Sequence, residues 1–323
     1  AEELGATFFE VVVLCAWLLF RDAGCDTAVF EVGLGGRFDA TNTADPRVSV
    51  ITGVDLDHTA VLGNSVAEIA ADKACIGRSG RPLFTAARGE ALAVIREHAG
   101  KHGTDVRAAG TDFQAELLGS DWSGNRIRVR EGSWELEFDV ALPGPYQLDN
   151  AALAALAARE LGADDTALTE GAAAVRWPGR FETVRAADRS WLLDGAHNPA
   201  GARALKAALA ELGARPAVLI AGLTADKDAA GIARELAGVA PFIIATRSLL
   251  SPRALEPEET ARLFEEAGVA AAATAPDPDR ALQLAREASK PAELVVAAGS
   301  LYLLGELRPL FSGGRAGPYG RWQ

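Results

Sequence analysis

Short apolar runs rich in β-branched residues alternate along this chain with alanine-rich stretches of helical length, and few folds accept that alternation. The runs are Thr27–Val32, Val48–Val54, Pro82–Ala86, Trp191–Asp194, Ala217–Ala221, Pro241–Thr246 and Leu294–Ala298. Between most of them lie Val66–Ile76, Gly89–Lys101, Pro199–Leu212, Ala229–Leu236, Pro257–Ala267 and Asp279–Ala288, which read as helices. Strands that are apolar throughout and separated by helices belong in a mostly parallel sheet covered on both faces. The middle departs from this pattern. Phe113–Leu118, Arg126–Arg130 and Trp134–Val140 read as meander strands, with turns at Ser123-Gly124-Asn125 and Glu131-Gly132-Ser133. Helices are expected over Asp149–Leu161 and Asp165–Val175, and Trp177-Pro178-Gly179-Arg180 then stops the helix. We place a domain boundary there: an α/β domain over 1–177 and a smaller one over 178–323, with a loose tail from about Gly313.

Length and charge narrow the function classes. A chain of 323 residues with 49% apolar content can bury a large core, and its length suggests about two domains. The net charge is −12 and no basic stripe occurs, which argues against nucleic acid as a partner. Three cysteines at wide spacing, Cys15, Cys25 and Cys75, do not make a disulfide framework or a zinc site and fit a reducing cytosol. The apolar run Val11–Phe20 is closed by Arg21 and Asp22, is too short to span a bilayer, and reads as a buried helix. A cytoplasmic protein without a membrane partner is therefore expected. The chain has no methionine, which fits either a trimmed initiator or a start inside a domain.

Four segments carry chemistry-bearing side chains at the ends of apolar runs. In Phe30–Asn42, Glu31 is followed by Gly33-Leu34-Gly35-Gly36-Arg37-Phe38-Asp39-Ala40-Thr41-Asn42. Ligands of α/β sheets bind beyond the carboxyl ends of the strands, so a carboxylate there suits a metal, and the glycines let a ligand approach the backbone. A tight turn with a helix cap at Asp39 or Thr41 explains the same letters equally well. The pattern is not GxGxxG. Thr52–Thr59 again ends a strand, with Asp55, Asp57 and His58; the imidazole is a candidate metal ligand or a solvated turn histidine. Lys73, in Asp72-Lys73-Ala74, reads by itself as a solvated helix cation. Asp194-Gly195-Ala196-His197-Asn198-Pro199 joins a strand to a helix start, which is a plausible phosphate contact and also a capped helix with Asn198 as N-cap. No GxxxxGK[ST], GxSxG, HExxH or paired-cysteine pattern occurs.

Together these segments resemble the folylpolyglutamate/dihydrofolate synthase family of the Mur ligase superfamily. The matching motifs, in order, are EVGLGGRFDATN at Glu31–Asn42, LDHT at Leu56–Thr59, Asp72–Ala74, GPYQLDN at Gly144–Asn150, WPGRFE at Trp177–Glu182, DGAHNP at Asp194–Pro199, DKD at Asp226–Asp228 and AGSLYL at Ala298–Leu303. The resemblance covers Thr7 to Leu310. It implies a P-loop-type Mur-ligase central domain followed by a smaller Rossmann-like C-terminal domain. The implied activity is ATP-dependent ligation of L-glutamate to a folate or dihydropteroate through an acyl phosphate, with magnesium as cofactor. By resemblance, Glu31, His58 and Lys73 are magnesium ligands and catalytic groups, the lysine acting as a carbamate, which requires the neutral amine. Asn150, Arg180, Asp194 and His197 are ATP contacts, and Arg180 is suited to phosphate. Thr7, Phe8, Phe9, Glu10, Phe38, Asp39 and Ala40 match segments that line the pterin pocket; for Phe8 and Phe9, ring stacking on the pterin and core packing both remain open. The family is mostly monomeric, so a monomer is expected.

Two departures accompany the resemblance. Family members have about a hundred residues ahead of the segment matching Thr7, including a first strand and the P-loop, and the chain is expected to lack that stretch and to expose an apolar sheet edge. Cys75-Ile76-Gly77-Arg78-Ser79-Gly80 stands where the family more often has a Gly-Ile-Ile-Lys-Pro-Gly-like stretch. The competing expectations are a non-catalytic remnant that binds nucleotide or folate, and a Mur-type ligase of cell-wall precursors.

Overall fold

The computed structural model describes residues 5–56, 59–186, 189–270 and 272–311. The chain divides into two compact units: Ala1–Ala115 with Val129–Leu136 and Asp149–Leu168, and Glu116–Arg128 with Glu137–Leu148 and Thr169–Gln323. The expected loose tail from Gly313 lies outside the described residues.

In chain order the elements begin with α1 (Phe8–Asp22), a 3-10 turn (Ala40–Thr43), β1 (Ser49–Ile51), α2 (Thr59–Leu62), α3 (Val66–Ala74), β2 (Pro82–Thr85), α4 (Gly89–His102) and β3 (Asp105–Ala108). Helix starts follow local chemistry. Thr7 with Glu10, and Ser65 with Glu68, form reciprocal capping boxes that satisfy the first free N–H groups of α1 and α3. α4 ends on Gly103 at φ +72, a left-handed position that glycine occupies without a Cβ penalty. β1, β2 and β3 form a parallel sheet in that order, with Ile51 beside Thr85 and Thr85 beside Ala108. Ile51, Ala70, Ala74, Leu83, Ala91 and Ile95 pack α3 and α4 onto it.

Two expectations for the first unit are corrected. Thr27–Val32 is not a strand: among the described residues it has no ladder partner, and Val29 is 87% exposed. An apolar run becomes a strand only where a neighbour takes up its N–H and C=O groups. Val11–Phe20 does lie within a helix, α1, but the helix is not buried. Of its residues only Val13 is in the core, while Phe8 and Leu19 are 85% and 67% exposed.

β4 (Gln114–Asp121), β5 (Gly124–Glu131) and β6 (Trp134–Val140) form a sheet in chain order, the connectivity of a meander. α5 (Gln147–Glu160) and α6 (Asp165–Ala174) follow. The remaining elements are β7 (Glu182–Ala186), β8 (Arg189–Asp194), α7 (Pro199–Glu211), β9 (Val218–Ala221), α8 (Ala229–Leu236), β10 (Phe242–Ala245), α9 (Pro257–Glu266), β11 (Ala272–Thr274), α10 (Pro278–Ala288), β12 (Leu294–Ala298) and α11 (Leu301–Phe311). Their sheet has the order β11-β10-β9-β12-β8-β7. All pairs are parallel except β7 with β8. Leu192, Leu219, Ile243 and Val296 face one side and Trp191, Ile220, Ile244 and Val295 the other, all fully buried between helices. The period-two alternation of a two-faced buried sheet explains why these strands read as continuous apolar runs. Pairing sets Asp194 level with Ala298, and Ala298 level with Ala221. The DGAHNP turn thus leaves the sheet at its carboxyl end, where ligands of such sheets bind.

Candidate functional site

In the first unit the glycine-rich segment wraps against α3. Gly35 sits at φ +71, and a Cβ there would lie 2.3 Å from Asp72 Oδ1 and 2.8 Å from Leu62. A Cβ on Gly36 would lie 2.9 Å from the Asp72 carbonyl oxygen and 3.1 Å from Lys73 Cα. The two glycines are therefore required for the loop to touch the helix turn that carries Lys73. Val32, Gly33, Leu34, Gly35, Asp55, Leu62, Ile69 and Lys73 line a cavity of about 230 Å³. Lys73 is half-buried, and among the described residues its amine has no hydrogen bond or ion pair.

Asp39 holds the loop in this shape. Its Oδ2 accepts from the N–H groups of Gly33 (3.0 Å) and Leu34 (2.9 Å), and its Oδ1 from the Thr41 N–H (2.9 Å) and hydroxyl (2.6 Å). It is thus the N-cap of the 3-10 turn as well as the clasp of the glycine segment. Phe9 packs on the loop: its ring carbons lie 2.7 Å from where a Cβ on Gly33 would be. Phe8 and Phe38 are largely exposed, and Ala40 opens the 3-10 turn. Thr7 and Glu10 spend their polar atoms on the α1 capping box, and the Thr7 N–H and hydroxyl hold the Glu10 carboxyl below its ordinary range. Glu31 is exposed at the loop's entrance. His58 lies outside the described residues.

No group of three or more His, Cys, Asp and Glu side chains forms a ready cage among the described residues. Asp55 supplies a hard oxygen at the cavity, and Glu31, exposed and next in the chain to the lining residue Val32, supplies another. Magnesium is ordinarily held by one or two carboxylates together with water and substrate phosphates, so this sparse oxygen set fits that ion.

In the second unit Asp194, at the end of β8, is 5% exposed. Its Oδ1 accepts from the Ala196 N–H (2.9 Å) and its Oδ2 from the Phe181 N–H (2.9 Å), while the Tyr146 hydroxyl donates to Oδ2 at 3.4 Å. Burial pushes the Asp194 carboxyl above its ordinary value, against those hydrogen bonds and Arg180. Burial, reinforced by the Asp194 charge, pushes the Tyr146 phenol up as well. The Phe181 N–H bond has a structural consequence: Phe181 stands at φ +48, costly for an aromatic residue, and Asp194 helps hold it there. The neighbouring turn is tied by Gly195 N–H to Gly179 O (2.7 Å) and by Gly179 N–H to Glu182 (2.8 Å), and Glu182 in turn pairs with Arg308. Arg180 Nη1 reaches Gly195 O at 3.5 Å, and His197 Nδ1 lies 2.8 Å from the same carbonyl. Asn198 caps α7 by accepting from Gly201 N–H (2.7 Å), with Pro199 opening the helix. The turn thus brings Arg180, Asp194 and His197 together. Asn150 lies in the first unit and is exposed.

A larger hollow of about 510 Å³ lies along β4, β5 and β6. Its ionisable side chains, Asp121, Arg126 and Asp139, are already engaged with Ser123, Glu137 or each other, and it holds none of the chemistry-bearing turns. We therefore assign a candidate site to each unit by itself: the smaller Lys73 cavity in the first and the Asp194 turn in the second. Tyr146 had no sequence signal beyond its place in a quoted segment, because its partner Asp194 is distant in the chain.

Comparison with known proteins identifies the family. The family model for the Mur ligase middle domain matches residues 6–158, and that for the Mur ligase glutamate ligase domain matches 179–301. The dihydrofolate synthase/folylpolyglutamate synthase of Bacillus subtilis is 33% identical over 94% of this chain and 71% of its own. The chain belongs to the folylpolyglutamate synthase/dihydrofolate synthase family. A probable bifunctional folylpolyglutamate synthase/dihydropteroate synthase of Halobacterium salinarum is 37% identical over 95% of this chain, which spans only 38% of that relative's length. Among solved structures, the folylpolyglutamate synthase of Mycobacterium tuberculosis, complexed with ADP and AMPPCP, superposes with a TM-score of 0.86 at 31% identity, covering 95% of this chain and 73% of that one. That of Thermotoga maritima gives 0.82 at 31% identity, covering 98% and 73%. The α/β architecture, with Mur ligase middle and C-terminal domains, is that of this family. Among the described residues no helix is long and apolar enough to cross a membrane.

Proposed function

We propose that this chain serves ATP-dependent ligation of L-glutamate to a folate or dihydropteroate. The observation that carries the proposal is its 33% identity to the Bacillus synthase across both Mur ligase domains, with Lys73 lining a cavity against the glycine loop. An Escherichia coli relative has been solved with DHPP and ADP, and the mycobacterial one with ADP and AMPPCP, which supports a pteridine and ATP as ligands. We place the division between the catalytic halves at about residue 177, in the stretch that neither family match covers.

In the proposed reaction a carboxylate oxygen of the pteridine substrate takes the γ-phosphoryl of ATP, and ADP leaves. The amine of glutamate attacks the acyl carbon of the resulting acyl phosphate, inorganic phosphate departs with the C–O bond's electron pair, and the amine loses a proton. Phosphorylation turns a poor leaving group into a good one. Magnesium, when bound, offsets charge on the transferred phosphoryl group. Glu31 and Lys73, the latter as its carbamate, would hold it, with His58 as the third residue of the proposal. The amine of half-buried Lys73, which lines the cavity and has no competing partner among the described residues, is suited to carbamylation, which exchanges a cation for an oxygen-bearing anion. Arg180 is suited to phosphate, and the DGAHNP turn orients it through Gly195 O. Asn150, Asp194 and His197 are assigned to ATP in the same proposal, Asp194 acting chiefly by holding the Arg180–Phe181 backbone. Thr7, Phe8, Phe9, Glu10, Phe38, Asp39 and Ala40 border the proposed pterin position, where Phe9 and Asp39 act through the loop they pack and clasp.

The test is a pair of variants. Lys73→Ala should abolish glutamate-dependent turnover and recover part of it in added acetate, which replaces the carbamate's oxygens. Glu31→Gln should lower magnesium-dependent turnover by about two decades or more, the scale of losing a charge aimed at the phosphoryl group. Parent-like turnover in both variants would remove this cavity from the reaction.

A further inference from the structure

One side chain outside the cavity lining ties the two walls of the Lys73 cavity together. α3 ends at Ala74, and the chain that follows presents a row of carbonyl groups. Arg78 Nη1 donates to the carbonyl oxygens of Cys75 (3.3 Å), Ile76 (3.2 Å) and Gly77 (3.1 Å). Its other amine, Nη2, donates to Asn42 O (2.8 Å), Asn42 Oδ1 (2.9 Å) and Ala44 O (2.7 Å) at the end of the 3-10 turn. Asn42 returns the contact, its Nδ2 donating to Arg37 O (3.2 Å) and Cys75 O (3.4 Å). Further along the same loop, the Arg37 N–H donates to Asp72 Oδ1 at 3.3 Å, beside Lys73, and Asp39 holds Gly33 and Leu34 at the cavity wall. The result is a closed circuit: glycine segment, 3-10 turn, Arg78, the end of α3, and Asp72-Lys73 back to the glycine segment.

We infer that Arg78 is a positioning residue that sets the register of loop 31–44 against α3 and thereby places the Lys73 amine in its cavity. The planar guanidinium fork is what allows it. One amine serves the carbonyls that follow α3 while the other serves the 3-10 turn, two sets of acceptors from segments about 35 positions apart in the chain. A lysine presents a single point charge and can reach one set at a time, so Arg78→Lys keeps the charge and breaks the circuit. Arg78 does not line the cavity and is assigned no contact with substrate. Its consequence for Lys73 chemistry rests on the glutamate-ligase proposal above; its hold on the loop does not.

The test uses the purified chain, Arg78→Lys and Arg78→Ala, each checked for native circular dichroism. Amide hydrogen exchange is read over residues 33–44 and, as an internal control, over α4 and β3. Carbon-13 bicarbonate titration, followed by NMR of the carbamate carbonyl, reads the affinity of Lys73 for carbon dioxide. We expect Arg78→Lys to exchange at least about tenfold faster at 33–44 with α4 and β3 unchanged, the scale of one lost charge-assisted bond. Carbamate affinity should fall by a similar factor. Guanidinium ion, well below denaturing concentration, should restore both in Arg78→Ala, and an alkylammonium ion should not. Parent-like exchange and carbamate affinity in both variants would overturn the inference. A parent that forms no carbamate would sink the proposal for Lys73 alone. Exchange at 33–44 then decides on Arg78: faster exchange confined to that loop upholds it, and unchanged exchange refutes it.

Discussion

Removing the Asp39 carboxylate should release the glycine loop while leaving the rest of the first unit folded. In Asp39→Ala four hydrogen bonds go: to the Gly33, Leu34 and Thr41 N–H groups and the Thr41 hydroxyl. Gly33 is exposed, so water replaces its bond at little cost. Leu34 is half-buried and Thr41 is buried, so the other three count at about 1 kcal/mol each. The loss is therefore about 3 kcal/mol, or roughly two decades in the opening equilibrium of the loop. Hydrogen exchange at the Leu34 and Thr41 amides should accelerate by that factor without any ligand present. Thr41→Val removes the hydroxyl bond alone and should cost about 1 kcal/mol; combined with Asp39→Ala it should show a coupling of about 1 kcal/mol, since the two share that bond. An Asp39→Ala chain with unaltered exchange at Leu34 and Thr41, or a double mutant with strictly additive losses, would refute the clasp and leave Asp39 as a free surface carboxylate.

Two further outcomes are expected. Gly35→Ala combines a left-handed φ with a Cβ 2.3 Å from Asp72 Oδ1, and should cost about 2–5 kcal/mol in urea unfolding. Gly80→Ala, at φ +69 in open space, should cost only about 1 kcal/mol, and equal losses would mean the loop does not press on α3 as described. For Asp194, a native carboxyl raised by burial keeps its proton to higher pH than the unfolded chain does. The stability this provides is complete below about pH 3.9 and is lost as pH rises through the native value. The stability of Asp194→Asn should therefore gain on the parent's as pH is raised across that window. A difference that stays flat or reverses in paired chemical denaturations would show that Asp194 is not raised.

The parts legible in the sequence are those whose causes are local or periodic. Strands such as Leu294–Ala298 announce themselves because both faces are buried and every position is apolar. The α7 start was readable because Asn198 and Pro199 act within one turn. Non-local causes were not readable. The apolarity of Thr27–Val32 and Val11–Phe20 does not reveal whether a neighbour covers them, and among the described residues Val29 and Leu19 stand exposed. Arg78 looks like any loop arginine until the chain folds Asn42 and Ala44 back to it across more than thirty positions. The four bonds of Asp39 were half legible: its cap of the 3-10 turn lies two residues away, while its hold on Gly33 and Leu34 depends on how the glycines turn. Asp194 was legible as a strand-end carboxylate. Its use in holding Phe181 at positive φ was not, since that requires β8 to meet the WPGRFE turn.

Coupled turnover tests the proposed function most directly. Phosphate release from magnesium-ATP would be followed together with the mass of the pteridine product, in this chain and in a chimera that adds to it the part of the Bacillus synthase it does not match. Release that requires both glutamate and dihydropteroate or tetrahydrofolate, with one glutamyl unit added per phosphate in at least one of the two proteins, is the predicted result. No release in either, or release without an added glutamyl unit, would contradict it.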